Sequence, residues 1–153
     1  MVSIENKDAL TNYEILDKFT AGIELKGFEA KSLLSGKGSF KGSYVSSKGG
    51  ELFLKNFYIP PYQEKNVDKN YNPLRERRLL LTRKEINYLI SKIKQPGLTI
   101  IPLKIYNKNR LIKIEIVLAK GLKKFEKREK IKKKEFQREK ERFLKREIFR
   151  KSG

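Results

Sequence analysis

The sequence predicts a mainly β fold: a small, partly open antiparallel barrel with two or three short helices and a basic C-terminal tail. Apolar and polar residues alternate through most of the first ~120 positions, the period of half-buried strands. Glycine-marked bends separate five or more such segments without strand–helix–strand regularity, and closing short strands into a barrel removes exposed edges. Residues 120–153 hold sixteen Lys or Arg against six Glu, about +10 of the formal +19, with too few apolar residues to fold alone. The chain of 153 residues therefore divides into a barrel domain, 1–121, and a tail, 122–153.

The first strand is expected over 13–25, bent or interrupted near Ala21-Gly22. Residues 27–34 read as a short helix stopped by Ser35-Gly36. Two strands over 40–46 and 51–59 flank Gly49-Gly50, a pair suited to the positive φ angles of a tight hairpin, and Pro60-Pro61 ends the second. Residues 62–78 read as a long loop rich in Asn, Lys and Arg. Thr82 and Glu85 have capping-box spacing, and Ile86, Leu89, Ile90 and Ile93 share one face of the helix that follows. Pro96-Gly97 stops that helix. Strands over 98–106 and 110–120 join through Asn107-Lys108-Asn109. In the second, Ile112, Ile114, Ile116 and Leu118 form one face, with Lys113, Glu115 and Lys120 directed away from it.

In the tail, Phe125, Phe136 and Phe143 fall within about 20° of one another at 100° per residue, with Leu144 adjacent. Ile131 and Phe149 lie off that face. Lys, Arg and Glu favour helix while their like charges repel, so the free tail is expected to be at best nascent helix that orders on a partner.

Composition excludes more than it selects. Without Cys or His there are no thiolate nucleophiles, His general bases or disulfides, and the usual zinc ligands are missing. The N-terminus lacks the cationic start and apolar run of a secretory signal, and no apolar stretch approaches the ~18 residues of a membrane span. A soluble, cytoplasmic, monomeric protein without cofactor or metal is expected, and an enzyme would have to work with carboxylates, Lys, Tyr or Ser alone, which is uncommon. Gly36-Lys37-Gly38-Ser39 lacks the earlier Gly of a phosphate loop and reads as a turn. A charge this large, concentrated at one end, calls for a polyanionic partner, nucleic acid first.

Arg75, Arg77 and Arg78 precede Leu79, Leu80 and Leu81. The leucines suit core packing at a helix entrance. Guanidinium groups on a loop edge suit phosphate and stacking, and surface Arg is also common, so charge alone leaves both readings open. Tyr44, Tyr58 and Tyr106 are either packing residues or base-stacking platforms. Two further classes compete: a generic structured-RNA or ribosomal binding barrel, and a membrane-surface or helix-partner protein acting through the tail. The scattered apolar face argues against the last.

In order, Ala21-Gly22-Ile23-Glu24-Leu25, Gly27-Phe28-Glu29-Ala30-Lys31-Ser32-Leu33, Gly36-Lys37 and Ser43-Tyr44 form an ordered set. It continues with Asn72-Pro73-Leu74-Arg75-Glu76-Arg77-Arg78-Leu79-Leu80-Leu81, Arg83-Lys84-Glu85-Ile86, and Ala119-Lys120-Gly121 leading into Glu126-Lys127-Arg128. With its basic tail, this set resembles the small protein B family of SsrA-binding proteins over nearly the whole chain.

The resemblance implies an oligonucleotide-binding-type barrel, without catalytic activity of its own, that grips the tRNA-like domain of tmRNA and delivers it to stalled ribosomes. The tail then enters the empty mRNA channel near the decoding region of the small subunit. Leu80 and Lys113 match the family's RNA-binding face, and Glu29, Lys31 and Lys37 its first-helix signature. Arg75, Arg77, Arg78, Lys120, Lys123 and Lys124 complete the RNA-binding candidates. Glu126, Lys127 and Arg128 match the start of the ribosome-directed tail, while Phe136, Phe143 and Leu144 occupy its large apolar positions. Thr11 replaces a family His, Thr20 an RNA-facing Glu, Leu34 an Arg and Leu122 a Lys, and Asp8 dilutes the basic run before the first strand. Phosphate attraction by the cationic tail is expected to offset some of these lost polar contacts and to make binding unusually salt-sensitive.

Overall fold

The computed structural model describes residues 2–63, 69–122 and 124–152. The chain order is β1 Ser3–Glu5, α1 Lys7–Asn12, β2 Tyr13–Ile23, α2 Gly27–Leu34, β3 Tyr44–Lys48 and β4 Glu51–Lys55. Then come β5 Arg77–Leu80, α3 Arg83–Ile93, β6 Leu98–Lys108, β7 Leu111–Gly121 and α4 Lys124–Ser152. All strand pairs are antiparallel. They run β6-β3-β4-β5-β2-β7 and return to β6, so the sheet closes into a ring. Its thinnest seam is β3–β6, the single pair Val45–Ile100, while β1 extends the same edge of β6 by pairing Ser3–Glu5 with Tyr106–Lys104. The expected barrel is thus closed rather than partly open.

The ring forms because alternate residues face one core. Leu52 and Leu54 of β4, Leu79 of β5, Ala21 and Ile23 of β2, and Ile114, Ile116 and Leu118 of β7 are all buried there. Phe40 and Phe57, whose rings are 4.5 Å apart, fill it from the loops. Helix α3 adds Ile86 and Leu89 to the same core, with Ile90 and Ile93 half-buried against it. Its first turn is fixed locally: the Glu85 N–H donates to Thr82 Oγ1 at 3.2 Å, and the Thr82 N–H donates to Glu85 Oε1 at 3.2 Å. At the β3–β4 turn, Gly49 and Gly50 have φ of 60° and 77°, left-handed values that β-carbon-bearing residues adopt at a cost.

Several expectations need correction. The irregularity in β2 is a register shift between Ile15 and Asp17, and the strand runs unbroken through Ala21-Gly22. Phe40 lies in a loop and packs into the core, and β3 begins only at Tyr44. The presumed loop over 62–78 gives way to β5 at Arg77. The β6–β7 turn is Asn109-Arg110, with Lys108 paired to Leu111. The structure also contains β1 and α1, which the alternation did not reveal. Ala9 of α1 covers a second apolar patch of Ile101, Val117 and Ala119 on the outer side of the sheet. Finally, Lys120 lies seven residues from Lys113 on β7, an odd interval, and so belongs at the rim of the core-facing side, opposite Lys113.

The tail is one helix, α4, with α1 beside it. Its described apolar side chains are exposed, Phe136 at 68 % and Phe143 at 62 %.

Candidate nucleic-acid interface

Strand register assembles one outward row across four strands. Leu80 of β5 pairs with Gly22 of β2, Gly22 with Lys113 of β7, and Lys113 with Tyr106 of β6. Cross-strand partners share a face. Here the face is the outer one, because Leu79, Ile23 and Ile114, each one position along its strand, are buried. Leu80 remains 45 % exposed, an apolar side chain on open sheet surface. Gly22 permits that position: a β-carbon there would lie 3.2 Å from Leu80 Cβ and press it away. Thr20 continues the face beside Glu115, and Glu115 meets Lys104 at 3.6 Å. Lys104 in turn lies 5.3 Å from the Tyr106 ring centroid.

Arg78 also points outward, opposite Phe53 of β4. Its Nε lies 3.7 Å from Glu51, and its Nη1 is 4.0 Å from Glu24.

Glu29 and Arg77 do not join this surface. Both have no solvent exposure, which corrects the expectation that they touch RNA. Glu29 Oε1 accepts from the Lys26 N–H at 2.8 Å and Oε2 from Arg75 Nε at 3.1 Å, with a second bond from Arg75 Nη2. Arg77 donates to Glu29 Oε2 from Nε at 2.9 Å and Nη2 at 2.5 Å. Arg77 also donates to the Phe57 and Pro73 carbonyls and, at 3.0 Å, to the Tyr71 hydroxyl. That hydroxyl lies 2.9 Å from Glu29 Oε2.

Burial alone would raise the Glu29 pKa. Bonds from Arg75, the Lys26 amide and Arg77, with the Arg77 charge, outweigh burial and hold it at about 2. Burial, and then the bond to Glu29, push Tyr71 up to about 12. The cluster ties α2 to the segment entering β5, so it positions Arg78 and Leu80 from behind. Arg75, half-buried, belongs to the same cluster. Sequence reasoning missed Tyr71. The available signal was an acid, Glu29, sharing a short helix with Phe28, Ser32 and Leu33, since a buried carboxylate requires cationic partners.

Lys31 and Lys37 are exposed on and just after α2, and Lys120 is exposed at the barrel rim. Lys123 lies outside the described residues, as do the side chains of Lys124, Glu126 and Lys127. Arg128, Phe136, Phe143 and Leu144 are exposed on α4. Of the departing positions, Thr11 is half-buried near the end of α1, Leu34 is exposed, and the Leu122 N–H donates to the Asn12 carbonyl at 3.0 Å. Among the described residues there is no cluster of three or more metal-ligating side chains. Nor, among them, is any helix long and apolar enough to cross a membrane.

Comparison with known proteins gives a consistent result. A family profile described as SmpB protein matches residues 3–146. An SsrA-binding protein of Thermosipho africanus is 51% identical over 142 residues, covering 92% of this chain and 95% of that protein. The SsrA-binding protein of Aquifex aeolicus is 48% identical over 145 residues, covering 94% and 92%. A solved structure described as "tmRNA-SmpB: a journey to the center of the bacterial ribosome" superposes with a TM-score of 0.67 at 42% identity. It covers 86% of this chain and 95% of its own. A profile spanning nearly the whole chain, close relatives of matching length and a like fold agree, and the chain belongs to the SmpB protein family.

Proposed function

We infer that this chain binds the tRNA-like domain of tmRNA and delivers it to stalled ribosomes in trans-translation, with the tail acting in the empty mRNA channel. The observation that carries this reading is the outward row Leu80–Gly22–Lys113, which joins two residues from distant parts of the sequence on one open face. An exposed leucine flanked by a lysine suits folded RNA, offering apolar contact to a base or ribose and charge to a phosphate. Arg78, Lys31 and Lys37 supply further positive charge. The protein performs no chemistry of its own; its work is binding and placement, in the cytoplasm, as a monomer without cofactor. The tail orders on the ribosome, where Arg128 and its neighbours meet phosphates of the small subunit and Phe136, Phe143 and Leu144 find apolar partners.

The test is binding of the purified chain to the cognate tRNA-like domain, with elongator tRNA as competitor, across a salt series. Selective binding that persists near physiological salt is expected. Equal affinity for both RNAs, collapsing with salt, would instead point to a generic structured-RNA barrel held by charge alone.

A further inference from the structure

Positive charge is not equally available along the proposed RNA face. On the β7 side of Gly22, Lys113 is in no ion pair among the described residues, because the nearby Glu115 is engaged by Lys104 at 3.6 Å instead. On the β5 side the cations are occupied. Arg78 lies 3.7 Å from Glu51 and 4.0 Å from Glu24, and Lys48 and Lys55 lie 3.6 and 3.7 Å from Glu76. Glu51 is held in place by α3: Arg83 Nη2 donates to its Oε1 at 2.5 Å, and Arg83 Nη1 donates to the Gly50 carbonyl at 2.7 Å. Glu24 follows β2 directly, two residues after Gly22, and its backbone N–H donates to the Arg78 carbonyl at 2.9 Å. The two acids that flank Arg78 therefore sit immediately after the strand carrying Gly22 and in the β3–β4 hairpin, and the backbone of each is anchored beside the row.

We propose that Glu24 and Glu51 are specificity-determining residues of the RNA face. By occupying Arg78 in the free protein, they open its charge only to an RNA that also docks on the Leu80–Gly22–Lys113 row. A phosphate approaching Arg78 through charge alone meets two carboxylates within a Debye length and gains little. An RNA seated on the row has other contacts that offset the displaced ion pairs. Discrimination then arises from a repulsive element as well as an attractive one. In a chain of +19, such a guard limits capture by unrelated RNA.

The assignment rests on the tmRNA reading above, and the experiment separates the two. Full-length wild type and the Glu24→Gln/Glu51→Gln double variant are titrated with the tRNA-like domain and with elongator tRNA at matched salt. Both carboxamides keep hydrogen-bonding capacity at exposed or partly exposed sites, and equal thermal midpoints verify the fold. A Glu135→Gln/Glu139→Gln variant makes the same change in net charge on the tail. The expected result is an elongator tRNA affinity raised about threefold or more, the scale of two weak surface ion pairs. Affinity for the tRNA-like domain should rise less, so selectivity falls; the tail variant should leave selectivity as in wild type. An unchanged ratio in the Glu24/Glu51 variant, or a ratio shifted toward the tRNA-like domain, overturns the proposal. An equal loss of selectivity in the tail variant overturns it too. Absence of preference in wild type overturns the tmRNA reading and this assignment with it. Preference in wild type with an unchanged ratio in the variant overturns this assignment alone.

Discussion

Glu29 sits without solvent exposure between the guanidinium groups of Arg75 and Arg77, and its role follows from what that arrangement requires. Taking a carboxylate out of water is costly, and removing one member of such a set leaves the remaining charges unbalanced. Glu29→Gln keeps the shape and deletes the charge, stranding Arg77 in the interior. A loss of about 3–5 kcal/mol is expected, read as a lower urea midpoint at constant slope. The same residue predicts a pH window. Its folded pKa, about 2, lies below an ordinary value near 4.5, so between those values the unfolded chain binds more protons than the folded one. The stabilisation is therefore complete above about pH 4.5 and fades as pH falls through about 2. Wild type and Glu29→Gln should differ most near neutrality and converge in acid. A stability difference constant from pH 2 to 7 would show that the charge is not what holds the cluster.

Among the elements, α3 is the most locally determined, and its cap is the place to test that. Thr82→Ala removes the acceptor for the Glu85 N–H and should cost about 1 kcal/mol, seen as a lower thermal midpoint, while Thr82→Ser should restore most of it. The same locality explains what could be read without a structure. Helices α2 and α3, the Gly49-Gly50 hairpin and the alternation of β7 depend on neighbours in sequence, and all were legible there. Strand β5 was not, because its four residues read Arg-Arg-Leu-Leu and its inward Arg77 finds its partner Glu29 48 residues away. Strand β1 exists only because β6 offers an edge, and α1 because Ala9 meets an apolar patch on the outer sheet. The interface was half legible. Family motifs singled out Leu80 and Lys113, but the row needed the register through Gly22. The burial of Glu29 and Arg77 needed the closed ring. Lys120 falls on the other side of β7 from Lys113 because an odd interval separates them, and the strand keeps its alternation to the end.

At the scale of the whole molecule, barrel and tail separate in both packing and charge. The pairs that close the ring end at Gly121. Beyond that, every described tail side chain from 131 to 146 is exposed, so this stretch of α4 adds nothing to the barrel's core. A helix dense in like charge and weakly packed gains little stability from its own propensity and is ordered best by a polyanion. If the row across β5, β2 and β7 grips RNA and the tail engages the ribosome, the two activities should come apart under truncation. A chain ending at Lys124 should keep its preference for the tRNA-like domain, with a shallower salt dependence because tail–phosphate contacts are lost, and should fail to support tagging on stalled ribosomes. Phe143→Ala with Leu144→Ala tests the same division without altering charge. Those side chains are 62 % and 50 % exposed, so their removal should leave the melting temperature and RNA affinity unchanged while tagging falls. Both activities falling together would mean that the tail braces the RNA face itself, and the contact between α1 and α4 would be the place to look for the cause.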